Sequence, residues 1–401
     1  MNNFKTENGI LTEYLGRDTR VTVPEGITEI GDNAFSECPS VTEVMLPDSV
    51  TVIGESAFLR CGMLNRVHIP KGLTRIGNYA FFNCNALKSI DIPAETEYVG
   101  KQAFGRCESL REISVDGENH HYRSIDGNLY TKDGGKLIAY ATGKPDTVFN
   151  APENLTTVGE NAFCGCKALT SVSFSDGLCT VEKEAFIDCV SLVSAHLPNT
   201  VTRLGRSVFQ SCKALSELQL PSSLTAIPQN AFFRCKSLTE VIIPDSISSI
   251  GNYAFGSCSA LTSVRIPDSV NDLNPVTFDN CGSLTEIFTD QKRELWLNRL
   301  TNRYSAPMVR GWLTGKGHRE LTDDEEEKLT EYIDDNLSDL ILLSTSDVDF
   351  VRYVTERKLI CISAARDLLK NADGAEIRAI LLNYVNDNGE SNDLDSVFSL
   401  D

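Results

Sequence analysis

Apolar and polar positions along this chain recur in one phase, every 23 residues. In a typical unit, Val67 and Ile69 alternate with Arg66 and His68, so one side of an extended segment turns inward and the other outward. Pro70 removes a backbone donor and ends that segment. A second apolar pair, Leu73 and Ile76, starts a return leg. Gly77 is expected to permit a bend that a side chain would obstruct, and Ala80 with Phe81 fills the interior. The column of phenylalanines runs through Phe35, Phe58, Phe81 and Phe104, then Phe163, Phe186, Phe209, Phe232, Phe255 and Phe278. Neighbours are 23 residues apart except Phe104 and Phe163, whose 59-residue step reads as one repeat plus a 36-residue insertion.

Other positions keep the same phase. A cysteine stands three residues after each phenylalanine: Cys38, Cys61, Cys84, Cys107, Cys166, Cys189, Cys212, Cys235, Cys258 and Cys281. Six residues after it stands leucine, with Val41 as the exception. Four residues before it stands glycine, replaced only by Glu182, Pro228 and Asn274. One such unit cannot bury its own apolar face, whereas stacked units bury a continuous one. Parallel strands stack about 4.8 Å apart, so ten coils predict a body roughly 50 Å long. The ladder cysteines read as small buried thiols packed on their neighbours.

The I-P, I-G-x-x-A-F and C-x-x-L blocks of Leu64 to Cys84 and their copies over about residues 20–289 resemble the BspA-type (Treponema pallidum-type) leucine-rich repeat. The resemblance implies a right-handed parallel β solenoid with strands on its faces, and relatives that serve in adhesion or protein binding. It carries no catalytic residues over to this chain. The fold class expected is therefore an α+β repeat protein: a solenoid of 23-residue leucine-rich repeats over residues 31–289, an N-terminal cap and partial repeat over 1–30, and a helical subdomain over 290–401.

Residues 116–150 interrupt the repeats. Two short apolar runs, Asn128 to Thr131 and Lys136 to Tyr140, flank Lys132-Asp133-Gly134-Gly135, which predicts a hairpin. A weaker copy of the phrase at Asn8-Gly9-Ile10-Leu11 to Tyr14 reads as the cap that covers the first coil's open edge.

After Phe288 the periodicity becomes helical. Thr322 with Glu325 forms a capping box for a helix through about Leu343. Val348, Val351 and Val354 mark a second helix, with Ser346 or Asp347 as its cap. Ala364, Leu368 and Leu369 mark a third. A fourth starts near Asp373 and carries Ile377, Ile380, Leu381 and Tyr384. The tail from Asn386 to Asp401 is polar and expected to fray. The minimum role expected of these helices is to cap the solenoid's open end.

Composition narrows the function classes. Hydrophobic residues make up 41% of the 401 positions and charged residues 23%, ordinary values for a folded protein. The net charge of −19 argues against phosphate-rich partners. From Lys292 to Arg319 seven Lys or Arg lie among Trp296, Tyr304 and Trp312, but an acidic segment follows directly, so nucleic-acid binding is not expected. No stretch of about 18 apolar residues predicts a membrane span. Residues 1–16 lack the pattern of a secretory leader, so a cytoplasmic protein is expected, with a secreted or surface location as the alternative should a leader have been removed.

Neither catalytic nor metal chemistry is expected. Gly134-Gly135-Lys136 lacks the phosphate-loop spacing. Cys164-Gly165-Cys166 has no second Cys or His pair to complete a tetrahedral site, and Cys166 already belongs to the ladder. His120 and His121 read as solvated loop residues. No cofactor is expected, and the oligomeric state stays open. What remains is the outward strand face: Glu43, Met45, Arg66, His68, Asp91, Glu112, His196, Glu217, Gln219, Glu240, Ile242 and Arg265, with serines between them, Ser194 included. Glutamates beside small serines make a flat, mildly acidic surface suited to a protein or peptide with basic or polar groups. A non-enzymatic protein-binding scaffold is the reading preferred. A surface adhesin and a regulatory subunit acting through its C-terminal helices are the alternatives.

Overall fold

The computed structural model describes residues 3–284, 286–289, 327–328, 332–333, 348–372 and 374–389. Each coil of the solenoid contributes two short strands. On one face stand Arg20–Thr22, Glu43–Met45, Arg66–His68, Ser89–Ile92 and Glu112–Val115; on another stand pairs such as Val52–Ile53, Arg75–Ile76 and Tyr98–Val99. Strands of neighbouring coils pair in parallel in short ladders, as in Glu43↔Arg66, Val44↔Val67 and Met45↔His68. Identical repeat lengths therefore place each side chain over its own counterpart. The phenylalanine column is the result. Phe35–Phe58 and Phe58–Phe81 ring centroids lie 5.0 and 5.1 Å apart, with planes 11° and 4° from parallel. The spacing approaches the roughly 4.8 Å of a strand ladder, which holds the rings in register.

The turn that carries each phenylalanine has a backbone that residue periodicity does not reveal. Two non-glycine residues in most turns adopt positive φ, for example Asn33 (59°) and Glu37 (56°), then Ser56 (56°) and Arg60 (59°), while the Phe163 turn uses Asn161 and Gly165. Left-handed residues are unfavourable for most side chains. Here they aim alternate amides at the next coil: Asn33 N, Phe35 N and Glu37 N donate to the carbonyls of Glu55, Ala57 and Leu59 at 2.7–2.9 Å. The same three bonds recur from Ser56, Phe58 and Arg60 to Asn78, Ala80 and Phe82.

Gly77 is required for a reason other than a bend. Its φ is not positive, but a Cβ there would lie 2.5 Å from the backbone carbon of Gly54 in the coil below. The coils simply approach too closely for a side chain.

Eight of the ten ladder thiols are buried as expected, with Cys38 and Cys281 half-buried, and most gain a partner in the coil before. Cys61, Cys84 and Cys107 Sγ–H donate to the carbonyls of Phe35, Phe58 and Phe81 at 2.9, 3.0 and 3.1 Å.

The insertion differs from expectation. The predicted hairpin forms from Asn128–Thr131 and Lys136–Ala139, and a third antiparallel strand, Tyr122–Ile125, flanks it. The second hairpin strand then pairs in parallel with Thr157–Val158 and starts a new ladder. The N-terminal hairpin of Phe4–Glu7 and Ile10–Tyr14 does the same against Glu29–Ile30. Tyr14 stacks on Phe35 at 5.1 Å, and Tyr140 lies 5.0 Å from Phe163. Tyr140 stands 23 residues before Phe163 and so occupies the phenylalanine position of its own coil. The step that is too long is therefore Phe104 to Tyr140, 36 residues in place of 23. The segment is a second cap within the chain, and it divides the solenoid into two arrays.

The interior is divided accordingly. One apolar cluster runs from Leu11 to Ile113 and includes Leu129 and Ala141. The other runs from Tyr130 through the second array and takes in the buried residues of the helices.

Three helices are described: α1 (Val348–Glu356), α2 (Ile362–Asn371) and α3 (Ala375–Asn388). Val351 and Val354 of α1, Ala364, Ala365 and Leu368 of α2, and Ile377, Leu381 and Tyr384 of α3 are buried in that second cluster. α3 starts at Ala375, near Asp373 as expected, and Gly374 before it has φ 120° and no side-chain cap. One expectation is corrected: Asn386–Asn388, expected to fray, complete the last turn of α3. The aromatic-basic segment 292–319, most of the helix expected over 322–343 and the caps Ser346 and Asp347 lie outside the described residues.

Candidate functional site

The outward strand face comes from the period of two in each longer strand. Val44, Val67, Ile90 and Ile113 point inward and are buried. Their neighbours point away from the core, which leaves Met45 49% and Ile242 76% exposed. Arg66, Asp91, Glu112, His196, Glu217, Gln219, Glu240 and Arg265 are exposed as well, and Glu43 and His68 are half-buried. Ser194 is the exception. It is buried, and its hydroxyl lies 2.9 Å from that of Ser171.

Register brings several of these side chains together. Glu43 accepts from His68 Nε2 at 2.9 Å and lies 3.3 Å from Arg20 Nε. The His68 hydrogen bond, assisted by Arg20, holds the Glu43 carboxyl below its usual range. The Ser114 hydroxyl donates to the Asp91 carboxylate one strand away. In the second array, His196 pairs with Gln219, Glu240 with Ser263 and Ile242 with Arg265. The twelve residues do not converge on one point. They form two panels, one per array, each split into two sheets: Glu43 to His68 and Asp91 to Glu112 in the first array, His196 to Gln219 and Glu240 to Arg265 in the second.

Two parts of the face escaped the sequence reading. Arg20 and Thr22 open the first panel, and the phrase Arg20-Val21-Thr22-Val23-Pro24 repeats the strand pattern that would have revealed them. Val148–Asn150 opens the second panel with Val148 half exposed; it lies at the end of the insertion, where Val148-Phe149-Asn150-Ala151-Pro152 repeats the same pattern.

Other candidates are placed plainly. His120 and His121 are exposed beside the three-stranded cap. Cys164 and Cys166 are both buried, and burial pushes each thiol up to about 12. Among the described residues no cluster of His, Cys, Asp and Glu is arranged to hold a metal ion, and no helix is long and apolar enough to cross a membrane.

Six copies of the BspA type leucine-rich repeat region match residues 17–130, 143–244 and 225–296. The chain belongs to the BspA-type leucine-rich-repeat family. Among solved structures, this BspA-type chain is similar to a leucine-rich repeat protein from Eubacterium ventriosum, at 25% identity and a TM-score of 0.61 over 70% of this chain and 86% of that one. A leucine-rich repeat protein of T. pallidum shares 29% identity over 51% of this chain and 82% of its own, with a TM-score of 0.33. A leucine rich cell surface protein from Faecalibacterium prausnitzii shares 24% over 73% and 94%, with a TM-score of 0.48. No curated protein sequence matches the chain. BspA-type repeats form a scaffold of the kind that mediates protein interactions.

Proposed function

We propose that the chain is a non-enzymatic scaffold that binds a protein or peptide on its outward strand face, with the second array as the main contact. The observation that carries this reading is Ile242. A large apolar side chain stands 76% exposed on the first strand of a three-stranded sheet, between Glu240 on its own strand and Arg265 opposite. An apolar anchor within a polar surround is the common anatomy of a binding surface. Glu217 and Glu240 on adjacent coils favour a partner with basic groups facing them. Stacked strands hold all these groups on a rigid surface, so little ordering entropy opposes binding. The helices α1 to α3 share the second array's apolar cluster, which supports a role in closing the solenoid's open end.

The test compares capture from a lysate by the full chain, by Glu217→Lys with Glu240→Lys, by Ile242→Asp, and by Glu55→Lys, which lies off the strand face. A partner retained by wild type and Glu55→Lys but lost from the two face variants supports the proposal. Equal retention by all four defeats it.

A further inference from the structure

The second array does not stack uniformly. On the strand face, Glu217–Gln219 pairs with Ser194–His196 and Glu240–Ile242 pairs with Ser263–Ile266, but Glu217–Gln219 and Glu240–Ile242 share no ladder. The return legs break as well. Arg203–Leu204 pairs with Thr180–Val181 and Ala226–Ile227 with Ser249–Ile250, and again the two inner strands share no ladder. Because the chain winds helically, both gaps fall in one cut through the solenoid, which the chain crosses at residues 220–225. Single amides show the same cut. Glu217 N donates to the Val193 carbonyl and Thr202 N to that of Cys179, both at 3.1 Å. Their counterparts one period on, Glu240 N and Thr225 N, reach no carbonyl of the coil before among the described residues.

Pro228 supplies one cause. Gly205 N and Gly251 N, at the same place in the flanking coils, donate to the Val181 and Ile227 carbonyls at 2.7 and 2.8 Å, and proline has no hydrogen to give. Packing loosens with the bonds. Leu218 is half-buried, while Val172, Ala195, Val241 and Val264 at its position are buried. Ring centroids widen from 5.0 Å for Phe186–Phe209 to 5.7 Å for Phe209–Phe232. Thr200 Oγ1 donates to the Leu178 carbonyl at 2.7 Å, whereas Ser223, one period on, bonds the Asn199 carbonyl in place of that of Val201. The backbone bonds that still cross the cut lie beside the phenylalanine turn. Ser207 N, Phe209 N and Ser211 N donate to Gln229, Ala231 and Phe233 at 3.0, 2.8 and 2.7 Å, and Ser237 N donates to Lys213 at 3.1 Å. Where the chain itself crosses, Asn199 Oδ1 accepts from Ser222 N at 3.0 Å and from Ser222 Oγ at 3.1 Å.

We propose that this junction is a hinge inside the strand face. The turn bonds are its pivot, the Asn199–Ser222 contacts are its latch, and the two unladdered strand sides are where it opens. Segments with few backbone bonds open at low local free energy, and rigid bodies move about a few such residues. The hinge angle sets how far Glu217 and Leu218 stand from Glu240 and Ile242, so it fits the face to the shape of a partner. Each half remains a rigid surface, and binding orders one angle in place of many side chains. This use of the hinge rests on the strand-face reading; the hinge itself rests on the missing bonds alone.

Hydrogen exchange of the full chain, followed by mass spectrometry with no partner present, tests it. Ala226–Ile227 and Glu240–Ile242 are expected to exchange about tenfold or more faster than Ser249–Ile250 and Ser194–His196, which are laddered on both sides. Pro228→Gly restores the missing donor and is expected to slow exchange on both sides of the cut. Asn199→Ala removes the latch and is expected to speed it. A shift by either variant in its stated direction supports the hinge. Equal exchange at all four strands of the wild type overturns it, and so does fast exchange that neither variant changes. Since no partner is present, this result is read separately from the capture test of the strand face.

Discussion

Replacing Phe186 with alanine removes a ring from the middle of a column. Phe186 is fully buried between Phe163 at 4.7 Å and Phe209 at 5.0 Å, with planes 11° and 8° from parallel, and meets Phe174 edge-on at 6.3 Å. The rings above and below cannot close the gap, because strand ladders through Ser171, Ser194 and Glu217 fix their spacing. A buried Phe→Ala change costs about 3–5 kcal/mol, more when the site cannot collapse. Each lost ring pair contributes about 0.5–1.5 kcal/mol of that. Phe186→Ala is therefore expected near the upper end. Phe104→Ala, at the break, loses one stack, with Phe81 at 5.9 Å, and is expected to cost about 1 kcal/mol less. Urea unfolding of the full chain followed by circular dichroism measures both, with a fall in midpoint at constant slope as the signature of lost stability. A cost below about 1.5 kcal/mol for Phe186→Ala would contradict the large-to-small range for a buried ring. A cost no greater than that of Phe104→Ala would equally refute a shared, spacing-locked interior.

Two glycines separate close approach from chance composition. Gly77→Ala forces a Cβ against Gly54 backbone and is expected to cost about 1–3 kcal/mol or more, whereas Gly62→Ala, with nothing within 4 Å, is expected to be close to neutral in the same unfolding assay. Iodoacetamide followed by mass spectrometry should modify the exposed Cys179 and Cys361 in the native protein and spare Cys84, Cys107, Cys212 and Cys235 until the chain unfolds; rapid native labelling of those four would show an open ladder. Burial pushes the Cys107 thiol from about 9 up to about 12. Below pH 9 both states keep that proton and its stabilisation is complete; between about 9 and 12 the unfolded chain ionises first and the stabilisation is lost. The destabilisation caused by Cys107→Ala should therefore shrink as pH rises through that window, and a penalty that stays constant to pH 11 would count against a buried neutral thiol.

The solenoid, the direction of its faces and the burial of its Phe and Cys columns were legible in the chain because they are one-dimensional properties. A fixed 23-residue period makes every contact a contact between like positions, so a local pattern repeated in phase is already a tertiary arrangement. Arg66 and His68 are outward for the same reason that Val67 is inward. Features that depend on two different segments meeting were not legible. Tyr140 does not look like a column residue until its hairpin pairs with Thr157–Val158. Asn161 looks like Asn33 and becomes buried only because the first array ends against it. The left-handed pairs at positions such as Asn33 and Glu37 are occupied by no consistent residue type, since the bonds they make to the next coil come from the backbone. Side-chain alternation thus specifies which way each coil faces, while docking of the two arrays decides which polar groups lose water, because burial at that joint belongs to neither array alone.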